Sequence, residues 1–125
     1  MNTNQSQQPT VEQILSMMKE NMNGALPKTM ELAGEVMPEM VLEQARSSEF
    51  AMPKENGAID AESRTLIHLG IALATNSTTC IESLMNKAEV QKISKEKIIE
   101  TLKIARFAES ARVVGNAEVL LRNLK

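Results

Sequence analysis

The chain has 125 residues, 42% of them hydrophobic, with nine methionines, two phenylalanines, no tryptophan or tyrosine, and a net charge of −2. That suits one ordinary domain that buries a core without disulfides or metals, and it lacks the basic balance of a nucleic-acid or anionic-membrane binder. No stretch approaches the roughly 20 apolar residues of a membrane span, the first ten residues lack the charged and apolar regions of a signal peptide, and a single cysteine excludes an intrachain disulfide. A cytoplasmic protein is the expectation, and no cofactor is expected.

Residues 1–9 are polar, rich in Asn and Gln, and predict a flexible end; residues 10–125 predict a single all-α domain. Thr10-Val11-Glu12-Gln13 reads as a capping box opening the first helix, which carries Ile14, Leu15, Met17, Met18 and Met22 and stops near Asn23-Gly24. Pro27 suits the first turn of a second helix, and Pro38 the start of a third that runs to about Met52. With so few aromatics, the methionines are expected to fill the core. Residues 53–57 are the clearest loop.

The stretch Ile59 to Leu84 holds the longest apolar run, the only histidine (His68) and the only cysteine (Cys80). Asp60 is the expected N-cap of a fourth helix that is apolar nearly all round, which predicts a central, buried position. Gly70 in mid-helix costs about 1 kcal/mol relative to Ala, so it predicts another backbone close by. Thr75-Asn76-Ser77 breaks the helix, and Asn76 or Ser77 can cap a fifth that runs to about Val90. Ser94 caps a sixth, and a seventh is expected from about Glu109 to Leu124.

If Ser77 is the N-cap, Cys80 is the third residue of its helix, beside unsatisfied amides and the positive end of the dipole. Both favour the nucleophilic thiolate. Free cysteine is also among the most buried residue types, so a packing role competes. His68 is able to serve as a general base; a packing histidine in an apolar helix is the plainer account. With no second histidine and no carboxylates at ligand spacing, no metal site is expected.

Asp60-Ala61-Glu62-Ser63-Arg64, and Ala72-Leu73-Ala74-Thr75-Asn76 followed by Cys80-Ile81-Glu82, resemble the carboxymuconolactone decarboxylase family, which includes the alkylhydroperoxidase-D-like proteins. The resemblance covers about residues 25–124. It implies a six- to seven-helix, all-α, alkylhydroperoxidase-D-like fold that assembles into trimers or hexamers, and a thiol-dependent peroxidase or disulfide-reductase activity drawing on an external thiol. The redox branch uses a Cys-x-x-Cys pair, a histidine four residues after the second cysteine and a glutamate twelve before the first. Here those positions hold Ser77 and Cys80, Leu84, and Thr65. On this reading Cys80 is the nucleophile, Ser77 a hydrogen-bond donor to it and His68 a distant base. Without a second thiol, a sulfenic acid on Cys80 has no internal partner. An inactive oligomeric scaffold or binding module, and a decarboxylase-type small-molecule enzyme, are the alternatives.

Overall fold

The computed structural model describes residues 8–125, and among them every regular element is a helix. α1 spans Val11–Asn21, α2 Lys28–Val36, α3 Pro38–Ala51, α4 Ala61–Ala74, α5 Thr78–Val90, α6 Lys95–Gly115 and α7 Glu118–Leu124. Most of the expected flexible end, residues 1–7, lies outside the described residues. No helix is long and apolar enough to cross a membrane among the described residues. The chain divides into two compact units, residues 1–58 and 59–125.

The first unit holds α1, α2 and α3, each packed on the other two. The capping box forms as expected: the Gln13 amide donates to Thr10 Oγ1 at 3.2 Å, and the Thr10 amide donates to Gln13 Oε1 at 2.9 Å. α1 stops when Asn23 turns left-handed (φ 55°) and the Gly24 amide reaches back to the Lys19 carbonyl at 2.8 Å, the double-bonded helix ending that favours glycine or asparagine. Pro38 opens α3, but Pro27 is the N-cap of α2 rather than a first-turn residue. α1 and α2 meet closely at Gly34, where a Cβ would lie 3.0 Å from Leu15 Cδ1. The expected methionine core is corrected here. Among the described residues of this unit the buried ones are Ile14 and Val41, while Met17, Met37 and Met40 are each more than two-fifths exposed.

In the second unit α4 lies against both α5 and α6. Asp60 caps α4 as predicted, accepting from the Ser63 amide at 2.7 Å. That bond holds the Asp60 carboxyl below its usual range, with smaller help from the Lys97 and Arg64 charges. Lys97 also reaches from α6 to Glu62 at 3.1 Å. Leu69 and Ala72 of α4 and Leu84 of α5 form the core, and Leu73, Cys80, Ile81 and Ile98 pack on it.

Three expectations change in this unit. α4 is central but buried along one arc only: Thr65, Leu69 and Ala72 face inward, whereas Ile67 and Ile71 are 51% and 56% exposed. Two neighbouring helices cover only part of a cylinder, whatever the composition of the rest. At Gly70 no backbone crowds in; an added Cβ would make an ordinary 3.7 Å contact with Thr101 Cγ2 of α6. The sixth helix does not stop near Glu109, because Ala108, Glu109 and Ser110 all tolerate helix. It runs on to Gly115, and α7 follows after Asn116 and Ala117. Along this long arm Phe107, Val114 and Leu121 recur every seven residues and are 72%, 68% and 59% exposed.

Candidate functional site

The start of α5 is fixed by the end of α4. Asn76 adopts a left-handed conformation (φ 55°), which lets the Ser77 amide donate to the Ala72 carbonyl at 2.9 Å. Ser77 is then the N-cap, and Cys80 is the third residue of α5, as the sequence predicted. The Ser77 hydroxyl makes no capping bond, so the first-turn amides receive no acceptor from it. The helix dipole therefore acts on Cys80 without a capping oxygen from Ser77 to offset it. Cys80 is half-buried, with its inner side on the Leu69, Ala72 and Leu84 core.

The two positions where the redox branch carries ionisable groups are closed here. Leu84 is 5% exposed and part of the core. Thr65 is 2% exposed, with its hydroxyl 2.7 Å from the side-chain oxygen of Gln91 and 3.1 Å from the Ala61 carbonyl. A neutral hydrogen-bonded pair thus ties the second turn of α4 to the end of α5. A buried carboxylate at that point would need a cation or proton; the threonine–glutamine pair needs neither.

His68 stands one turn beyond Arg64 on α4 and is exposed. A helix advances about 100° per residue. Glu62 and Gly70, the α4 residues that meet α6, therefore lie on one flank of α4, and Arg64 and His68 on the other. On that second flank α5 brings up Lys87, close enough for the Arg64 charge to act on it. Cys80 and Lys87 are seven residues apart, on the same side of α5. Cys80 packs against the Leu69, Ala72 and Leu84 core while His68 is exposed on α4, and among the described residues no hydrogen bond joins Cys80 to His68 or to Ser77. Among the described residues no group of three or more His, Cys, Asp or Glu is placed to hold a metal ion.

Sequence reasoning passed over Gln91 and Lys87. Both lie on the α5 side that carries Cys80, Leu84 and Ala88, and a lysine and a glutamine on such a face were the available signal. Burial holds the Lys87 ammonium below its ordinary range, and the Arg64 charge adds to this.

The family model that matches this chain is that of the carboxymuconolactone decarboxylase family, over residues 41–117. The chain belongs to that family. The matched span runs from α3 through α6 and includes Thr65, Ser77, Cys80 and Leu84. α1 and α2 precede it, so the capping box and the Gly34 approach lie outside the part the carboxymuconolactone decarboxylase family defines. A search of curated proteins gave no match.

Proposed function

We propose that this carboxymuconolactone decarboxylase-family protein is a single-cysteine thiol peroxidase or disulfide reductase with Cys80 as its nucleophile. The observation that carries the reading is the position of Cys80 as the third residue of α5, half-buried and subject to the dipole of a helix whose first-turn amides Ser77 does not cap. In the peroxidase reaction the thiolate attacks the distal peroxide oxygen, the O–O bond breaks, and the departing alkoxide takes a proton to become an alcohol. Cys80 is left as the sulfenic acid. An external thiol condenses with it, releasing water and forming a mixed disulfide, and a second thiol frees Cys80 and leaves as disulfide. Two external thiols are consumed for each peroxide. Ser77 serves as a hydrogen-bond donor to the thiolate and His68 as the distant base.

The test is consumption of cumene hydroperoxide with dithiothreitol as reductant. Turnover that Cys80→Ser abolishes is expected. No turnover in the native protein, or equal turnover by Cys80→Ser, overturns the reading. The closed, neutral surroundings of Thr65 and Leu84 favour a second reading in that event, an oligomeric scaffold that has kept the fold without the chemistry.

We further propose that the chain works as a homo-oligomer, a trimer or hexamer. The exposed Phe107 and Val114 of α6 and Leu121 of α7 support this, since large apolar side chains this open to water commonly mark a surface that a partner covers. Light scattering at micromolar concentration should give three or six times the 13.8 kDa chain mass; the mass of one chain would overturn it.

A further inference from the structure

Two apolar surfaces stand open among the described residues, one on each unit. The first is a groove of about 750 Å³ between α1 and α3. Ile14, Met17 and Met18 line it from α1, and Leu42, Ala45 and Phe50 from α3. Phe50 is 91% exposed. Unbranched methionine side chains adapt to what they meet, which suits a contact surface. The second surface is the α6–α7 arm, which buries no residue. Ten large apolar side chains from Ile99 to Leu124 are each two-fifths exposed or more. Apolar area this continuous is uncommon on a chain that stays single. The charges of the two surfaces are opposite. Residues 1–58 carry eight glutamates against four lysines and arginines, a balance of −4. Residues 95–125 carry seven lysines and arginines against four glutamates, a balance of +3. Lys103 and Arg106, beside Ile104 and Phe107, form no ion pair among the described residues, and neither does Glu49 in the groove. Of the two cations that line the groove, Arg46 and Lys54, the first is held by Glu43 at 2.8 Å.

We propose that the α6–α7 arm of one copy of the chain lies in the α1–α3 groove of the next. A helix laid apolar side down in a groove is a recurring mode of recognition. A basic arm meeting an acidic unit adds attraction and fixes orientation, whereas two basic arms repel, which disfavours an arm packed on a second arm. Because the two surfaces differ, their contact needs no two-fold axis. Contacts of that kind close into rings, three copies included, while a surface that packs on itself joins copies only in pairs. The contact rests on the homo-oligomer proposed above and supplies the two surfaces that build it.

Light scattering of the full chain tests it through two double variants at exposed positions. Phe107→Asp with Val114→Asp alters the arm, and Met17→Asp with Phe50→Asp alters the groove. Each pair should weaken the contact by roughly a hundredfold or more and bring the mass down to the 13.8 kDa of one chain. Mixed in equal amounts at raised concentration, the two variants should form a two-chain complex that neither forms alone. The arm variant keeps an intact groove, and the groove variant keeps an intact arm. Phe107→Leu should retain the native mass, and circular dichroism establishes that every variant is folded. A groove variant that keeps the native mass while the arm variant loses it would mean that arm packs on arm, which overturns the contact and leaves the oligomer standing. A mixture that stays at the mass of one chain overturns the contact as well. A native protein of one chain mass removes the oligomer and the contact together.

Discussion

Leu84→His is expected to destabilise the second unit by about 3–5 kcal/mol without bringing hydroperoxide turnover above that of the native protein. The substitution puts an imidazole where the redox branch has one, so intuition favours a gain. The packing argues otherwise. Leu84 is 5% exposed and belongs to the small core with Leu69 and Ala72. Removing it loses much of the burial of a leucine, and the imidazole brings polar nitrogens to a place lined by aliphatic side chains. Leu84→Met keeps the volume and the apolar character, and should cost less than about 1.5 kcal/mol. Urea unfolding followed by circular dichroism measures both, since the chain has no tryptophan or tyrosine to report. An unchanged midpoint for Leu84→His together with faster peroxide consumption would mean that the core opens readily and that a histidine there faces the thiol.

Ser77→Cys should change the fate of oxidised Cys80. The substitution gives α5 a Cys-x-x-Cys start, the spacing at which a helix N-terminus supports disulfide exchange. The native hydroxyl makes no capping bond, so its loss leaves no amide newly unpaired and should barely alter stability. After one equivalent of peroxide, the new thiol is expected to attack the sulfenic acid on Cys80, expelling water and closing an internal disulfide. The oxidised variant should then be lighter by two hydrogens, show no free thiol and carry no adduct when glutathione is added. The native chain under the same treatment should take up one glutathione. If the variant also takes up glutathione and keeps a titratable thiol, the two side chains do not meet, and the start of α5 differs from the arrangement described above.

The regular structure was largely legible in the sequence because its boundaries rest on local chemistry. The Thr10 box, the Asp60 cap and the Ser94 cap each need only a side-chain oxygen three residues before an amide, and all three form. Cys80 was placed at its helix position by the break at Thr75-Asn76-Ser77, although the Ser77 hydroxyl makes no capping bond. Burial was much less legible. Periodicity marks an apolar stripe but not whether anything lies against it, so Ile67, Ile71 and Met40 read as core and stand in solvent. The end of α6 was misplaced because no breaker marks residues 108–110, whereas Gly115-Asn116 does mark the real boundary. The bond between Thr65 and Gln91 joins residues 26 apart, and the field of Arg64 at Lys87 likewise crosses from one helix to another. No window along one helix reveals either.

The left-handed residue at Asn76 sets a limit on length as well as shape. The Ser77 amide closes back on Ala72, so a single residue turns α4 into α5 with no slack between them. The rotational setting of α5 is therefore inherited from α4, about 100° for each residue of chain. An exchange of side chain at this corner disturbs the thiol locally. An insertion or deletion of one residue would instead turn α5 by about 100°, swinging Cys80 off its neighbours and setting a flanking face of the helix against the core. Divergence at this corner is therefore freer in residue type than in residue number.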